Sequence, residues 1–128
     1  MNKTETAVGN FRFEISLLED IFRRDRDDPR TIEVLANLYT VTGQIEKGLE
    51  LDRRHIALEP KNPSAYYNCA CSLSLSGQID EAFEKLKTAL DMGFESVDWM
   101  HKDPDLEALR DDPRWMKLPV EQDAGAED

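Results

Sequence analysis

A 34-residue repetition constrains this chain more than any other feature. Pro29 stands 34 positions before Pro63, Ala36 before Ala70, and Gly43-Gln44-Ile45 before Gly77-Gln78-Ile79. Within the second copy, Tyr66, Cys69, Ala70 and Leu73 recur at helical spacing. After Gly77, so do Ile79, Ala82, Phe83, Leu86, Ala89 and Leu90. Each copy therefore reads as two amphipathic helices joined by a glycine turn. Small residues at Ala70 and Ala82 let the paired backbones approach closely.

Proline, the alanine pair, the Gly-Gln-Ile turn and a closing Pro60 resemble the tetratricopeptide repeat, a helix-turn-helix unit of 34 residues. Stepping back from Gly43 by the same period lands on Gly9. Phe11, Ile15, Leu18, Ile21 and Phe22 then fall where a second helix keeps its apolar face. The resemblance covers nearly all of residues 9–118. It implies an all-α helix array with right-handed stacking: an orphan N-terminal helix, two full repeats near 29–62 and 63–96, and short capping helices over 97–118. Residues 1–9 are expected to be frayed, with the first helix starting near Asn10. The acidic tail 119–128 is expected to be disordered.

Helix starts share one signature. Asp28-Pro29, Asn62-Pro63, Asp103-Pro104 and Asp112-Pro113 each put an Asx side chain before a proline. The Asx oxygen can cap free backbone N–H groups, and proline is preset for the first helical position. No segment shows sustained strand alternation. After Met92 the repeat fails, because Pro104 interrupts the helix that Val97 can begin. A terminal repeat exposes an apolar face, so an array needs a cap. Trp99, Leu106, Leu109 and Trp115 are the side chains expected to supply it.

Repeat one departs from the pattern at three places. Ile32, Leu35, Ala36 and Tyr39 form its first inner face, and Ile45, Leu49 and Ile56 its second. Asp52 and His55 stand where the family usually has an aromatic and an alanine. Three apart on one helix face, they are either a buried acid–imidazole pair or a loosened, water-reached interface. The usual exposure of polar residues favours the second. Gly48 replaces the usual alanine and is expected to weaken its helix.

The 128 residues carry a formal charge of −11, which argues against nucleic acid, whose phosphates need a basic surface, and against an anionic membrane. No apolar run is long enough to span a bilayer, and no leader-type apolar region opens the chain. Cys69 and Cys71 sit two apart on one helix and point about 200° from each other, so they cannot bridge. One core thiol and one partly exposed thiol are expected, in a reducing, cytoplasmic setting. His55 and His101 are isolated, so no metal site is expected. No phosphate loop, nucleophile elbow or ligand cluster is present, so no cofactor and no enzymatic activity are expected.

The resemblance implies that the first helices of successive repeats line a concave, peptide-binding groove. The matching positions are Arg30, Glu33, Asn37, Thr40 and Val41 from repeat one, and Ser64, Tyr67, Asn68, Cys71, Ser74 and Leu75 from repeat two. Tyr67, Cys71 and Leu75 make a stripe opposite the packed one. A partner peptide, a second copy of the chain or its own C-terminal segment can cover that stripe. Chaperone-binding members of the family clamp terminal carboxylates with lysines, an arginine and two asparagines. Asn37 and Asn68 match, but Glu33 stands at the first lysine position and would repel a carboxylate. Of the two third-repeat positions, Asp98 and Lys102, only one is a cation.

The function implied is a non-catalytic interaction scaffold, an adapter or co-chaperone-like module that binds a protein or peptide. Glu33 and the net charge favour a basic ligand, and the stripe favours apolar anchors beside its cations. The alternative is a self-associating unit, a homodimer using the open side of the first helix.

Overall fold

A computed structural model describes the backbone of residues 3–120 and the side chains from Phe11 onward. Five helices form an antiparallel array: α1 Lys3–Arg24, α2 Pro29–Val41, α3 Ile45–Leu58, α4 Pro63–Leu75 and α5 Ile79–Asp91. Two one-turn helices follow, α6 Val97–Met100 and α7 Glu107–Arg110, with 3₁₀ turns at Pro104–Leu106 and Pro113–Lys117. Each of the first five helices packs on its chain neighbour, α2 also touches α4, and the C-terminal turns close over α4 and α5. The described residues are all-helical, and their adjacent pairing is that of a helical repeat array.

Local chemistry explains the punctuation. Asp28, Asn62, Asp103 and Asp112 each accept a hydrogen bond from the N–H two residues on, at 3.2, 3.0, 3.0 and 2.9 Å. Each is followed by proline at the first helical position. Gly43, Gly77 and Gly93 end α2, α4 and α5 with φ of 87°, 82° and 94°, a backbone region that a Cβ makes costly.

The first helix differs from expectation. It begins at Lys3 and not near Asn10, and Gly9 lies inside it, not at a turn. No proline precedes Asn10, and one glycine does not stop a helix. The tail from Glu121 lies outside the described residues.

Two apolar clusters make the core. Ile15, Ile32, Leu35, Ala36, Leu38, Tyr39 and Leu51 join α1, α2 and α3. Leu49, Cys69, Ala70, Leu73, Phe83 and Leu86 join α3, α4 and α5 to Met100, Leu106, Leu109 and Trp115. Leu106 and Leu109 are fully buried in this cluster, whereas Trp99, expected to join them, is 51% exposed and Met100 fills the core in its place. Arg114 ties the cap down. It reaches Asp80 on α5 at 2.8 Å, pairs with Asp112 at 2.9 Å and lies over the Phe83 ring at 4.7 Å.

Gly48 has a packing role that helix propensity hides. A Cβ there would stand 2.4 Å from Thr40 Oγ1 and 3.1 Å from the Ala36 carbonyl. The glycine lets α3 approach α2, so what it costs in helix entropy is offset by contact between the helices.

Candidate functional site

The first helices of the two repeats face a common groove. α2 contributes Glu33, Asn37, Thr40 and Val41, and α4 contributes Tyr67, Asn68, Cys71 and Ser72. Asp52 of α3 closes the floor, and Trp99, Asp103, Pro104 and Asp105 form the third wall. The volume is about 370 Å³. Of the groove residues read from the sequence, Glu33, Asn37, Thr40, Val41, Tyr67, Asn68 and Cys71 are brought together here. Arg30, Ser64 and Leu75 are not. The Arg30 and Ser64 N–H groups are held by the caps, and Leu75 is exposed beyond the groove end. Ser74 is buried, its hydroxyl without a hydrogen-bond partner among the described residues.

The chain's own C-terminal segment covers part of the stripe. The Tyr67 ring stacks on Phe94, centroids 4.2 Å apart and planes 9° from parallel. Its hydroxyl donates to Asp103 Oδ2 at 2.6 Å, and the Cys71 thiol donates to the same oxygen at 3.7 Å. Asp103 Oδ1 meanwhile caps the turn at Asp105. One buried carboxylate thus starts the turn and docks it on α4. Burial is the main cause that raises both the Tyr67 and the Cys71 pKa, with the negative charge of Asp103 adding to it. Cys71 therefore stays a thiol, contrary to the partly exposed cysteine expected from the sequence. Cys69 is fully buried as well, its pKa raised to about 12 chiefly by burial.

Cys71, Asp103 and Asp105 place one potential ligand atom each within 4.8 Å of one another. The Cys71 proton and both Asp103 oxygens are already engaged in the contacts that dock the turn on α4. A thiol kept protonated by burial is a poor metal ligand.

Asp52 and His55 correct a second expectation. They are 4% and 2% exposed, so both are buried between α3 and its neighbours and the interface is not loosened, although Asp52 still borders the groove. Ser72 donates to Asp52 Oδ2 at 2.5 Å, and the Thr40 and Ser72 hydroxyls lie 3.3 Å apart. Asp52 is tolerated because the Ser72 hydroxyl of α4, itself beside Thr40 of α2, meets it, a long-range feature with no local signature. Burial raises the Asp52 pKa to about 6, opposed by the Ser72 hydrogen bond and by His55. His55 Nε2 lies 2.8 Å from Glu59 Oε1, while its Nδ1 has no partner among the described residues.

The groove is therefore acidic. Glu33, Asp52, Asp103 and Asp105 line it, and among the described residues no Lys, Arg or His does. Burial and the adjacent Asp103 raise the Asp105 pKa. Lys102, the one cation at the clamp-like positions, is exposed and outside the lining, so the groove presents no cationic site for a carboxylate. The sequence reading missed Asp52 and Ser72 as floor and residues 99–105 as wall. The Asx-Pro start at Asp103 was the available signal for the wall.

No family model matches the chain. It is similar to the protein CTR9 homolog of Arabidopsis thaliana, 26% identical over 99 residues, which cover 76% of this chain and 9% of that protein. The chain thus spans a small fraction of that relative's length. Among the described residues, no helix is long and apolar enough to cross a membrane.

Proposed function

We propose that this chain is a tetratricopeptide-type scaffold that binds a basic, amphipathic segment of a partner protein in the groove between α2, α4 and residues 99–105. One observation carries the reading: four carboxylates and the exposed Trp99 line the groove, with no cation beside them among the described residues. Such a surface attracts Lys or Arg, and an exposed indole offers a cation a π face. The repeat period, the Asx-Pro helix starts and the array of paired helices support the family. Repeats near 29–62 and 63–96 with a cap over 97–118 are the corresponding division. Glu33, Asn37, Val41 and Asn68 are the accessible groove positions, and Tyr67 and Cys71 shape the wall. The role is that of a cytoplasmic adapter or co-chaperone-like module, without catalysis. The buried thiols are held protonated, and His101 packs edge-on to Trp115.

The test is co-purification of a partner from the source cell, followed by binding of the identified partner to wild type and Glu33→Lys. Loss of affinity in the variant supports the groove. Equal affinity moves the site elsewhere.

A second reading, self-association, is favoured by α1. Phe13, Leu17 and Ile21, spaced by four, are 74%, 48% and 38% exposed on its outer side. A melting temperature that rises with protein concentration supports it, and a monomer across the micromolar range removes it as an obligate role.

A further inference from the structure

We infer that the groove floor is a recognition site for a single basic side chain, lysine ammonium or arginine guanidinium, whose charge ends on Asp52. The inference rests on the groove reading and sharpens it to one contact. Asp52 is 4% exposed, yet it lines the cavity. Among the described residues its hydrogen-bond partner is Ser72, on Oδ2. Oδ1 accepts from none of the described residues and is not sealed in the core, so it opens to the groove and can receive a donor from it. The Ser72 hydroxyl bonded to Asp52, and the Thr40 hydroxyl 3.3 Å from Ser72, line the same cavity as further acceptors. Asn37 and Asn68 on the walls can hold the backbone that carries such a side chain, and Trp99 at the rim can cover its stem.

A buried, singly bonded carboxylate is costly to ionise, and a cation from a partner supplies the missing charge and donors. Binding therefore requires ionised Asp52. The groups facing or lining the same space are Glu33 from α2, His55 on α3 itself, Cys69 from α4, and Asp103 and Asp105 from the C-terminal wall. With the Asp52 pKa near 6, about one tenth of the molecules carry its charge at a pH one unit lower. Affinity for the cation should fall by about tenfold between pH 7.5 and 5.

The experiment is a titration of the full chain, followed by amide NMR. The probes are the N-acetyl methylamides of lysine, arginine and norleucine at tens of millimolar. The expected result is that the lysine or arginine probe shifts the amides of Thr40, Asp52 and Ser72 at pH 7.5, while norleucine does not. Comparing the two basic probes identifies the preferred head group. Asp52→Asn, which can still accept from Ser72, should remove those shifts. Glu33→Gln should weaken both basic probes without removing the pH dependence. Shifts confined to rim residues and equal in Asp52→Asn would overturn the Asp52 site while leaving the groove reading standing. No shift at any groove residue would overturn both.

Discussion

Tyr67 on α4 donates a 2.6 Å hydrogen bond to Asp103, 36 residues further along, and so fastens the C-terminal turns to the second repeat. This buried contact makes the third groove wall part of the fold. Tyr67→Phe keeps the stack on Phe94 and leaves a buried carboxylate short of a donor. We predict a loss of about 1–3 kcal/mol, read as a fall in denaturation midpoint at unchanged slope. Tyr67→Ala should cost more, because it also opens a cavity. From the stripe alone, Tyr67→Ala is expected to reduce binding while largely keeping the fold. The burial of Tyr67 makes it a fold variant first, and Glu33 is the cleaner probe.

Gly48 and Thr40 give a second prediction. Propensity alone says that Gly48→Ala stabilises α3 by about 0.5–1 kcal/mol. The 2.4 Å approach to Thr40 Oγ1 says the reverse. Gly48→Ala should destabilise by about 1–3 kcal/mol, as overpacking does. In a Thr40→Ala background the penalty should shrink. A double-mutant cycle by urea denaturation measures the coupling, and strict additivity would show that the two helices relax apart freely.

Asp52 links stability to pH. Its pKa lies above the unfolded value, so between about pH 4 and pH 6 the folded state binds more protons than the unfolded one. Stability from this group is therefore greatest at the acid end and falls as pH rises through 6. Asp52→Asn removes the burden of a buried charge and keeps an acceptor for Ser72. It should raise the melting temperature at pH 7.5, with a gain of about 1–3 kcal/mol, and change little at pH 4.5. Thermal denaturation of both proteins at both pH values checks this. An equal shift at the two pH values would remove the charge as its cause.

Deleting the chain from Asp103 onward removes Leu106, Leu109 and Trp115 from the core that they share with Phe83 and Leu86. Each such side chain contributes roughly 1.5–3 kcal/mol on burial, against a domain stability of about 5–15. Aggregation or a large fall in melting temperature is expected. A monomeric truncate with an unchanged melting curve would contradict the cap.

The features legible in the sequence are those set by short-range chemistry. Asx-Pro starts, glycine turns and the helical period of Ile32, Leu35, Ala36 and Tyr39 each act within a few residues, and each stands where the sequence puts it. Seven of the eleven groove positions follow from which helix face is left over. Contacts decided across helices were not legible. Asp52 reads as a solvated acid until Ser72 is placed opposite it, and Gly48 reads as a weak point until Thr40 closes on it. Trp99 reads as a core aromatic, yet α6 ends after one turn and Met100 takes the buried place.

The central claim is that the acidic groove holds a basic partner segment. It is tested most directly by calorimetric titration of an identified partner into wild type and Glu33→Lys, at low and high salt. The account predicts that wild-type affinity falls as salt rises, and that the variant binds more weakly with a shallower salt dependence, as expected when a complementary charge is reversed. Salt-insensitive binding with equal affinity in both proteins would contradict it.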